Sequence, residues 1–402
     1  MRILYIAYSC APNSGSENRI GWSVPLEMAK KNEVFVITKA EHKQVISDFL
    51  RVNPASNICF EYVDIPNVYK KLFNGFMYSA RLNFWHHRAV KVAERICQRE
   101  KIQIIHQITP VEIRAIGDYG RIKDVYFVAG PLGGGEYIPS GLRDYAKGHY
   151  TIETIRKLMN SWYRFYYKLS GCLKRCDCII YANAETRAYL GYGTQLQSDI
   201  FTDDNTENRR RHTNDVESMV FLFAGRLIYR KGLSLLFDAL EALPEGYDYE
   251  VRIVGDGPER ELLKSRWSRS KCLRDHVSWV GRLPFAKMSE EYAKANVLIM
   301  PSIRETGGSV MLEAMYNGIP VIAIDRFGSG LLLNDRLGWT FGGQSKQDFI
   351  SSLSEAIKDC ICHPEEVMKR GLNMLEAAKR YSCSEKVKEL SMIYDNLLKK
   401  KQ

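Results

Sequence analysis

The strongest constraint on the fold is that short apolar runs alternate with longer stretches of helical period along almost the whole chain. The apolar runs are rich in Val, Ile, Tyr and Phe, which is typical of buried strands. Strands that alternate with helices form parallel sheets covered on both faces. The predicted strands lie near 2–8, 33–38, 58–63, 103–107, 125–129 and 178–182 in the first half, and near 219–224, 249–254, 277–280, 297–300, 319–323 and 338–341 in the second.

A polar segment divides the chain. Residues 202–215 contain no apolar side chain, which indicates an exposed linker. We therefore predict an α/β protein with two doubly wound, Rossmann-like domains, at 1–201 and 218–380, joined by a linker at 202–217. Residues 381–402 are expected to form a C-terminal helix that packs back on the N-terminal domain. In such sheets ligands bind outside the carboxyl ends of the strands, here in a cleft between the domains.

Composition excludes several classes of protein. Of 402 residues, 45% are hydrophobic and 26% are charged, the balance of a globular rather than a disordered chain. The apolar runs are shorter than the roughly 18 residues that a membrane span needs. The apolar N terminus is also short, so we interpret it as a strand and not as a signal peptide. Because the ten cysteines form no CxxC pair, neither a zinc site nor a disulfide framework is favoured, and we expect a cytoplasmic location.

The positive charge is concentrated in the first half. Residues 1–200 contain 27 Lys and Arg against 18 Asp and Glu, a balance of +9, whereas residues 201–402 contain 30 against 29. Segments 69–88 and 156–175 combine basic and aromatic residues, a pattern suited to anionic lipid headgroups at the inner face of a cell membrane. The alternative is that the aromatic residues pack inside the domain and the cations face water. No nucleic acid partner is expected, because the chain has no helix-turn-helix, zinc-finger or RNP pattern.

The most informative segment follows a buried-type strand and opens a helix at Ser309. Gly307 and Gly308 allow the backbone to approach a ligand closely, and the helix start offers N–H groups and a positive dipole end, a combination suited to phosphate. Glu305 precedes the glycines and Glu313 lies in the helix, so that each carboxylate is placed to bind ligand hydroxyls. The alternative is a plain glycine turn in which Glu305 caps the helix.

Two further turns join strands to helices. Arg226 and Lys231 stand five residues apart in the turn after the strand predicted at 219–224. Two fixed cations there would neutralise a diphosphate and stabilise it as a leaving group. The other turn contains Gly255 and Gly257 and continues with Pro at the first helical position, which by itself indicates only a tight turn.

In this order and spacing, the three turns resemble the nucleotide-sugar domain of the family 4 glycosyltransferases, which have the GT-B fold. The resemblance covers roughly residues 219–325 and includes the family's E-x7-E, G-R-x(n)-K-G and G-x-G-P motifs, followed by an E-A-M-x-x-G-x-P-V-I run. The matching residues are Glu305 with Glu313, Gly225-Arg226 with Lys231-Gly232, Gly255 to Pro258, and Glu313 to Ile322.

The first half resembles a subgroup of the same family that carries the motifs G-S-E, H-x-x-T and G-P-x-G-G-G-E. Many relatives have a histidine near the reacting sugar at the end of the fifth strand, where this chain has Phe127 to Gly130. His106 either fills that role or is a structural hydrogen-bonding residue. A second departure is the segment 327–331, which lacks the glutamate common after this glycine turn. The three motifs stand at Gly15–Glu17, His106–Thr109 and Gly130–Glu136.

The resemblance implies a role for each matched residue. Glu305 would contact the transferred sugar, Arg226 and Lys231 would hold the donor pyrophosphate, and His106 completes the candidate catalytic set. Glu313 would bind the ribose. The other candidate donor-binding residues are Gly15, Gly255, Gly257, Gly307, Gly308, Ser309 and Val310, and the acceptor-side candidates are Gly133, Gly134 and Glu136.

The implied reaction is a retaining, metal-independent transfer from a nucleotide-diphosphate sugar, with a UDP-sugar slightly favoured. The implied acceptor is a hydroxyl of a saccharide or lipid-linked molecule in bacterial cell-surface polysaccharide synthesis. The chain contains no Asp-x-Asp triplet, in agreement with a metal-free site, and no further cofactor is expected.

Other functions stay open at the level of sequence. The alternatives are a sugar-nucleotide epimerase or phosphorylase on the same fold and, from another class, a basic nucleic-acid-binding protein. A dinucleotide oxidoreductase is disfavoured, because the G-x-G-x-x-G fingerprint is missing after the first strand.

Overall fold

The computed structural model describes residues 1–12, 14–72, 75–193, 195–197, 201 and 218–400. The predicted linker at 202–217 lies outside these residues. The chain divides into two compact units. The first comprises the described residues within Met1–Gly135, Glu153–Asp204 and Ser382–Gln402, and the second those within Glu136–Ile152 and Asn205–Tyr381.

The first unit contains a parallel sheet of seven strands. They are β1 (Arg2–Ala7), β2 (Glu33–Lys39), β3 (Ile58–Val63), β4 (Ile104–Thr109), β5 (Tyr126–Leu132), β6 (Cys178–Tyr181) and β7 (Gln195–Leu196). Their order across the sheet is β3-β2-β1-β4-β5-β6-β7. The first six correspond to the predicted strands, whereas β7 is a short edge strand that the sequence pattern does not indicate.

Helices cover both faces of this sheet. Because side chains alternate along a strand, β1 contributes Leu4 and Ile6 to one buried cluster and Ile3 and Tyr5 to the other. The chain's last helix contributes Tyr394 to the second cluster. The helices of this unit are α1 (Ser16–Met28), α2 (Lys43–Val52), α3 (Asn67–Leu72), α4 (Tyr78–Glu100), α5 (Tyr150–Ser170, whose first three residues belong to the second unit), α6 (Ala184–Leu190) and α15 (Cys383–Lys399).

The second unit contains a parallel sheet of six strands. They are β8 (Met219–Ala224), β9 (Tyr249–Val254), β10 (Val277–Gly281), β11 (Val297–Met300), β12 (Val321–Ile324) and β13 (Gly338–Phe341). Their order is β10-β9-β8-β11-β12-β13. All four residues of β11 are buried, as expected for a central strand with helices on both faces.

Among the described residues of the second unit, eight helices accompany this sheet. The segment after Gly343, whose sequence has helical period as far as Lys401, forms three successive helices separated near His363 and Ser382. Helices α9 and α12 are not indicated by the sequence pattern. The helices are α7 (Leu233–Glu241), α8 (Arg260–Arg269), α9 (Lys271–His276), α10 (Phe285–Lys294), α11 (Ser309–Tyr316), α12 (Phe327–Leu332), α13 (Lys346–Cys362) and α14 (Pro364–Ala378), before α15.

The predicted N-terminal domain is continuous over 1–201, but the structure assigns Glu136–Ile152 to the second unit. Packing explains the difference, since Leu142 is fully buried in the second unit's core. The Tyr145 hydroxyl also donates to the Asp238 carboxylate of α7. The stretch of helical period over 140–172 is therefore divided into a short 3-10 segment, Ser140–Ala146, and α5.

The predicted class, an α/β protein with two doubly wound parallel sheets and helices at its C terminus, is confirmed. Among the helices formed by the described residues, none has the combined length and hydropathy that a membrane span requires.

Candidate functional site

The candidate site is a pocket of about 830 Å³ in the second unit. It opens where β8, β9 and β10 end, the edge at which parallel α/β sheets bind ligands. Its lining comes from the turns after these strands and from α10 and α11. The lining residues are Ala224, Gly225, Arg226, Val254, Gly255, Asp256, Gly257, Arg282, Leu283, Met288, Val310 and Glu313.

Two of the glycine turns are joined by backbone hydrogen bonds. Leu227 N donates to Asp256 O at 3.0 Å, and Glu259 N donates to Leu227 O at 3.1 Å. A Cβ atom at Gly255 would lie 1.8 Å from Gly225 O, and one at Gly257 would lie 2.3 Å from Leu227 O. Close packing of the two turns therefore requires both glycines, independently of any ligand.

Two arginines supply positive charge at this pocket. Arg226 and Arg282 are both exposed and both line it. Arg226 is predicted by the sequence motifs, whereas Arg282 is not. Arg282 could have been found from the sequence, because Gly281-Arg282 at the end of β10 repeats the Gly-Arg pair that follows β8.

Lys231 and Glu305 form an ion pair between the turn after β8 and the turn after β11. The two turns are also joined by Ile303 N, which donates to Arg230 O at 3.0 Å. Burial by itself raises the pKa of Glu305, but the charge and hydrogen bond of Lys231, with Arg230 nearby, outweigh it and hold that pKa below its usual value. Glu305 is therefore ionised at neutral pH.

The turn before α11 holds the other predicted phosphate-binding residues. Gly308 precedes the helix in the left-handed conformation, with φ of 83°, and α11 begins at Ser309. A helix start of this kind directs N–H groups and a positive dipole end toward an anion. The lining includes Val310 from this region, and does not include Lys231, Glu305 or the residues from Gly307 to Ser309.

Val310 and Glu313 lie three residues apart on α11 and so share one face of the helix. The Glu313 carboxylate accepts a hydrogen bond of 2.8 Å from the Tyr292 hydroxyl. Burial and the charge of Glu313 raise the pKa of Tyr292 well above its usual value, so that its hydroxyl remains a donor. Tyr292 is a supporting residue that sequence analysis did not identify.

Glu136 was expected on the acceptor side, in the N-terminal domain. The structure instead includes it in the second unit, where its carboxylate accepts a hydrogen bond of 2.8 Å from the Thr306 hydroxyl. Thr306 stands between Glu305 and Gly307, so Glu136 supports the turn before α11. Glu136 lies in the second unit for the same reason that the domain boundary is shifted, namely the packing of residues 136–152 on the second unit's core.

His106, a catalytic candidate, is fully buried in the first unit. Its Nε2 lies 2.6 Å from Gly130 O, and its Nδ1 lies 2.6 Å from the Tyr394 hydroxyl. Because a carbonyl can only accept, Nε2 carries the proton and Nδ1 accepts from Tyr394. Burial lowers the pKa of His106 to about 4. This environment favours the structural alternative over a catalytic role.

The remaining first-unit candidates lie in the loops after β1 and β5. Gly15 precedes α1 and is exposed. Gly133 O accepts from Ile113 N at 2.9 Å. Gly134 O accepts from Arg156 at 2.5 Å and from Asn160 at 2.9 Å, so these two carbonyls are bound within the protein.

The chemistry of the second-unit pocket suits an anionic ligand with hydroxyl groups. Arg226 and Arg282 offer positive charge to phosphate groups, the Glu313 carboxylate can accept from hydroxyls, and Leu283 and Met288 add an apolar wall. Within the described ranges, no group of three or more His, Cys, Asp or Glu side chains is arranged to bind a metal ion.

Comparison with known proteins relates the second unit to glycosyl transferases. Residues 204–379 match the model of the family "Glycosyl transferases group 1". Sulfoquinovosyl transferase SQD2 of Arabidopsis thaliana is 30% identical over 158 residues, 38% of this chain and 29% of that protein. Alpha-D-kanosaminyltransferase of Streptomyces kanamyceticus is 30% identical over 206 residues, 50% of this chain and 52% of that protein. The chain thus spans about half or less of these curated relatives.

A solved structure extends the similarity to both units. HepE of Anabaena, in complex with UDP, has a TM-score of 0.62 at 16% identity, and the match covers 98% of this chain and 100% of that one. At this level of identity the likeness concerns the fold.

Proposed function

We propose that the chain is a group 1 glycosyl transferase of family GT4 with the GT-B fold, and that it transfers a sugar from a nucleotide-diphosphate sugar to an acceptor hydroxyl. One observation carries the proposal. The pocket at the strand ends of the second unit combines two arginines, the first turns of α11 and the Glu313 carboxylate. A nucleoside diphosphate needs these groups for its phosphates and ribose.

We assign the parts of the donor to the pocket as follows. The ribose hydroxyls bind the Glu313 carboxylate, which Tyr292 holds in place. The base lies against Leu283 and Met288. The diphosphate lies near Arg226 and the start of α11, where cations and N–H groups neutralise it. UDP is the favoured nucleotide, with support from the UDP named in the HepE complex.

In the proposed transfer, cleavage of the anomeric bond leaves negative charge on the departing diphosphate. Arg226 and the N–H groups at the start of α11 stabilise that charge, and thereby the transition state. Lys231 already pairs with Glu305, so we assign it to holding the Glu305 carboxylate ionised beside the transferred sugar. The reaction is proposed to retain the anomeric configuration without a metal ion, the leaving phosphate accepting the proton of the acceptor hydroxyl.

The proposed acceptor is a saccharide or a lipid-linked saccharide, bound by the first unit, in the synthesis of a cell-surface polysaccharide. The charge balance of +9 over residues 1–200 supports an anionic partner on that side. The proposed location is the cytoplasm, with peripheral attachment to the inner face of the membrane.

Calorimetric titration with UDP, GDP and their sugars tests the donor site. We expect UDP to bind, and Arg226→Ala and Glu313→Ala each to weaken binding about tenfold or more, because a charged hydrogen bond contributes about 1.5–3 kcal/mol. Arg336→Ala is the matched control, since Arg336 is exposed and does not line the pocket.

Failure of every nucleotide to bind, or equal affinities for the pocket and control variants, would contradict the donor site. A protein that binds UDP-sugars but only epimerises them, or cleaves glycosides with phosphate, would instead support the alternative activities. Product analysis by mass spectrometry of reactions with UDP-sugar and saccharide acceptors separates these cases.

A further inference from the structure

Helix α5 buries two polar side chains and exposes a row of large apolar ones, unlike an ordinary surface helix. On its inner face, Arg156 and Asn160 are buried and donate to Gly134 O. Tyr167 is buried as well, and its hydroxyl accepts from Ile116 N at 3.0 Å. The inner face is therefore fixed to the first unit by hydrogen bonds.

The outer face of α5 is an exposed apolar stripe. Its members stand at positions i, i+4, i+7 and i+11, which lie along one side of an α-helix. The side chains are Leu158, Trp162, Phe165 and Leu169, exposed by 65%, 62%, 58% and 77%. Four large apolar residues in one row are more than the isolated apolar residues of an ordinary surface, and such a patch marks an interaction site.

Basic residues accompany the stripe. Arg164 and Lys168 are exposed on the same helix, and the Arg164 guanidinium lies 5.2 Å from the centre of the Tyr189 ring. The sequence from Thr154 to Cys176 contains no Asp or Glu. From Thr154 onward, the outer surface of α5 thus joins apolar and cationic groups without acidic side chains of its own.

We propose that this outer face, defined by Leu158, Trp162, Phe165 and Leu169, docks on an anionic lipid bilayer. The helix lies parallel to the membrane plane. Its apolar stripe enters the boundary between headgroups and acyl chains, and Arg164 and Lys168 bind lipid phosphates. A protein partner would need acidic groups to match these cations, whereas an anionic bilayer offers both the negative surface and the apolar layer below it. The inference rests on the membrane attachment proposed above and names the surface that makes it; its residues belong to the first unit, so its failure is distinguishable from failure of the donor pocket.

Sedimentation of the full chain with vesicles tests the proposal. We expect binding to vesicles of phosphatidylcholine with about 30 mol% phosphatidylglycerol, and much weaker binding to phosphatidylcholine alone. The variant L158Q/W162Q/F165Q/L169Q should lose vesicle binding. The matched control is L262Q/L372Q/M392Q, which changes residues of similar exposure (67%, 69% and 60%) outside α5 and should bind as the unmodified chain does.

Two further measurements examine charge and orientation. R164Q/K168Q should lower the partition coefficient about 30-fold, because each cation near an anionic surface contributes about 1 kcal/mol. Lipids brominated near the headgroup end of the acyl chain should quench Trp162 fluorescence, and W162F should remove most of that quenching. The quenching is measured on the unmodified protein, so it does not depend on the folding of the fourfold stripe variant.

The proposal is overturned if the apolar-stripe variant and the matched control bind vesicles equally, or if lipid charge has no effect. It is also overturned if the stripe variant changes the oligomeric state in light scattering, since the face would then join copies of this chain. An unchanged circular dichroism spectrum and thermal unfolding midpoint of the stripe variant show that a loss of vesicle binding is not caused by misfolding.

Discussion

The strand-end loops of the two units carry motifs of similar kind but use their polar side chains differently. In the first unit, the side chains of these motifs bind one another or the backbone: Thr109 Oγ1 donates to Ser9 O at 2.9 Å, and the Glu17 carboxylate accepts from Val111 N at 2.8 Å. In the second unit, Arg226 and Arg282 are exposed at a pocket of about 830 Å³.

The difference separates residues that stabilise loops from residues that meet a ligand. A buried polar group with all its hydrogen bonds made inside the protein, such as His106, has little left to offer a substrate. An exposed cation at a concave site can still gain from a phosphate. Lys231 and Glu305 stand between these cases, because they pair with each other beside the pocket.

The largest effect is expected from Lys231→Met. This substitution leaves the Glu305 carboxylate, whose side chain is 11% exposed, without its ion-pair partner. Removing one member of such a buried pair costs about 3–5 kcal/mol, so we expect a loss of that size in the free energy of unfolding measured with urea.

Two variants serve as controls for this prediction. Lys358→Met breaks an exposed pair with Glu355 and should change stability by less than about 0.5 kcal/mol. K231M/E305Q should recover much of the loss, since no buried charge remains. If Lys231→Met destabilises the protein no more than Lys358→Met does, the Lys231–Glu305 pair does not hold the two turns together. The polar side chains of the second-unit loops would then contribute less to stability than those of the first-unit loops.

A slightly smaller effect is expected from the titration of His106. Burial lowers its pKa to about 4 from the usual 6.5, so between these pH values the unfolded chain binds a proton that the folded chain does not. The resulting stability is complete above pH 6.5 and is lost as the pH falls toward 4. Relative to His106→Gln, the unmodified protein should lose about 3 kcal/mol over this range, measured by urea unfolding at constant ionic strength.

If the free energies of unfolding of the unmodified protein and of His106→Gln change in parallel across this pH range, His106 is hydrated and titrates freely. Such a result would make His106 a candidate for contact with a substrate. A marked loss of UDP affinity in His106→Gln would have the same meaning, since a structural residue of the first unit should leave the second-unit pocket unchanged.

Arg282→Ala tests whether an exposed cation of the second-unit pocket binds the nucleotide. We expect UDP affinity to fall about tenfold, because a charged contact to phosphate contributes about 1.5 kcal/mol, while the midpoint of thermal unfolding without ligand stays constant. Calorimetric titration measures the first quantity and scanning calorimetry the second. If affinity is unchanged while Arg226→Ala reduces it, the diphosphate lies on the β8 side of the pocket.

Much of the fold was predictable because apolar runs and turn residues mark parallel strands directly. Two of the features that escaped prediction depend on tertiary packing. Helix α12 contains Gly328 and Gly330, which are typical of a turn, and Gly328 is required there because a Cβ atom would lie 2.5 Å from Thr306 O. The transfer of Glu136–Ile152 to the second unit depends on the burial of Leu142, which periodicity does not report.

Prediction of the site has the same limit, because it too depends on tertiary packing that the sequence pattern does not report. Motif spacing brought attention to Arg226, Val310 and Glu313, which do line one pocket. Burial of a single polar residue is not visible in sequence: the partner of His106, Tyr394, is 288 positions away. Arg282 was missed because a lone Gly-Arg pair is common, and only its position after β10 distinguishes it.

The smallest effect is expected from Gly15→Ala. Gly15 has φ of −50°, which suits any residue, and a Cβ atom there would meet nothing within 4 Å. The free energy of unfolding should therefore change by less than about 0.5 kcal/mol. Gly255→Ala is the contrasting control, because its Cβ atom would lie 1.8 Å from Gly225 O and the turn would have to move. If Gly15→Ala is as harmful as Gly255→Ala, the loop after β1 is held by packing. If it is neutral, folding gives no reason for a glycine at this position, and contact with a ligand becomes the explanation to pursue.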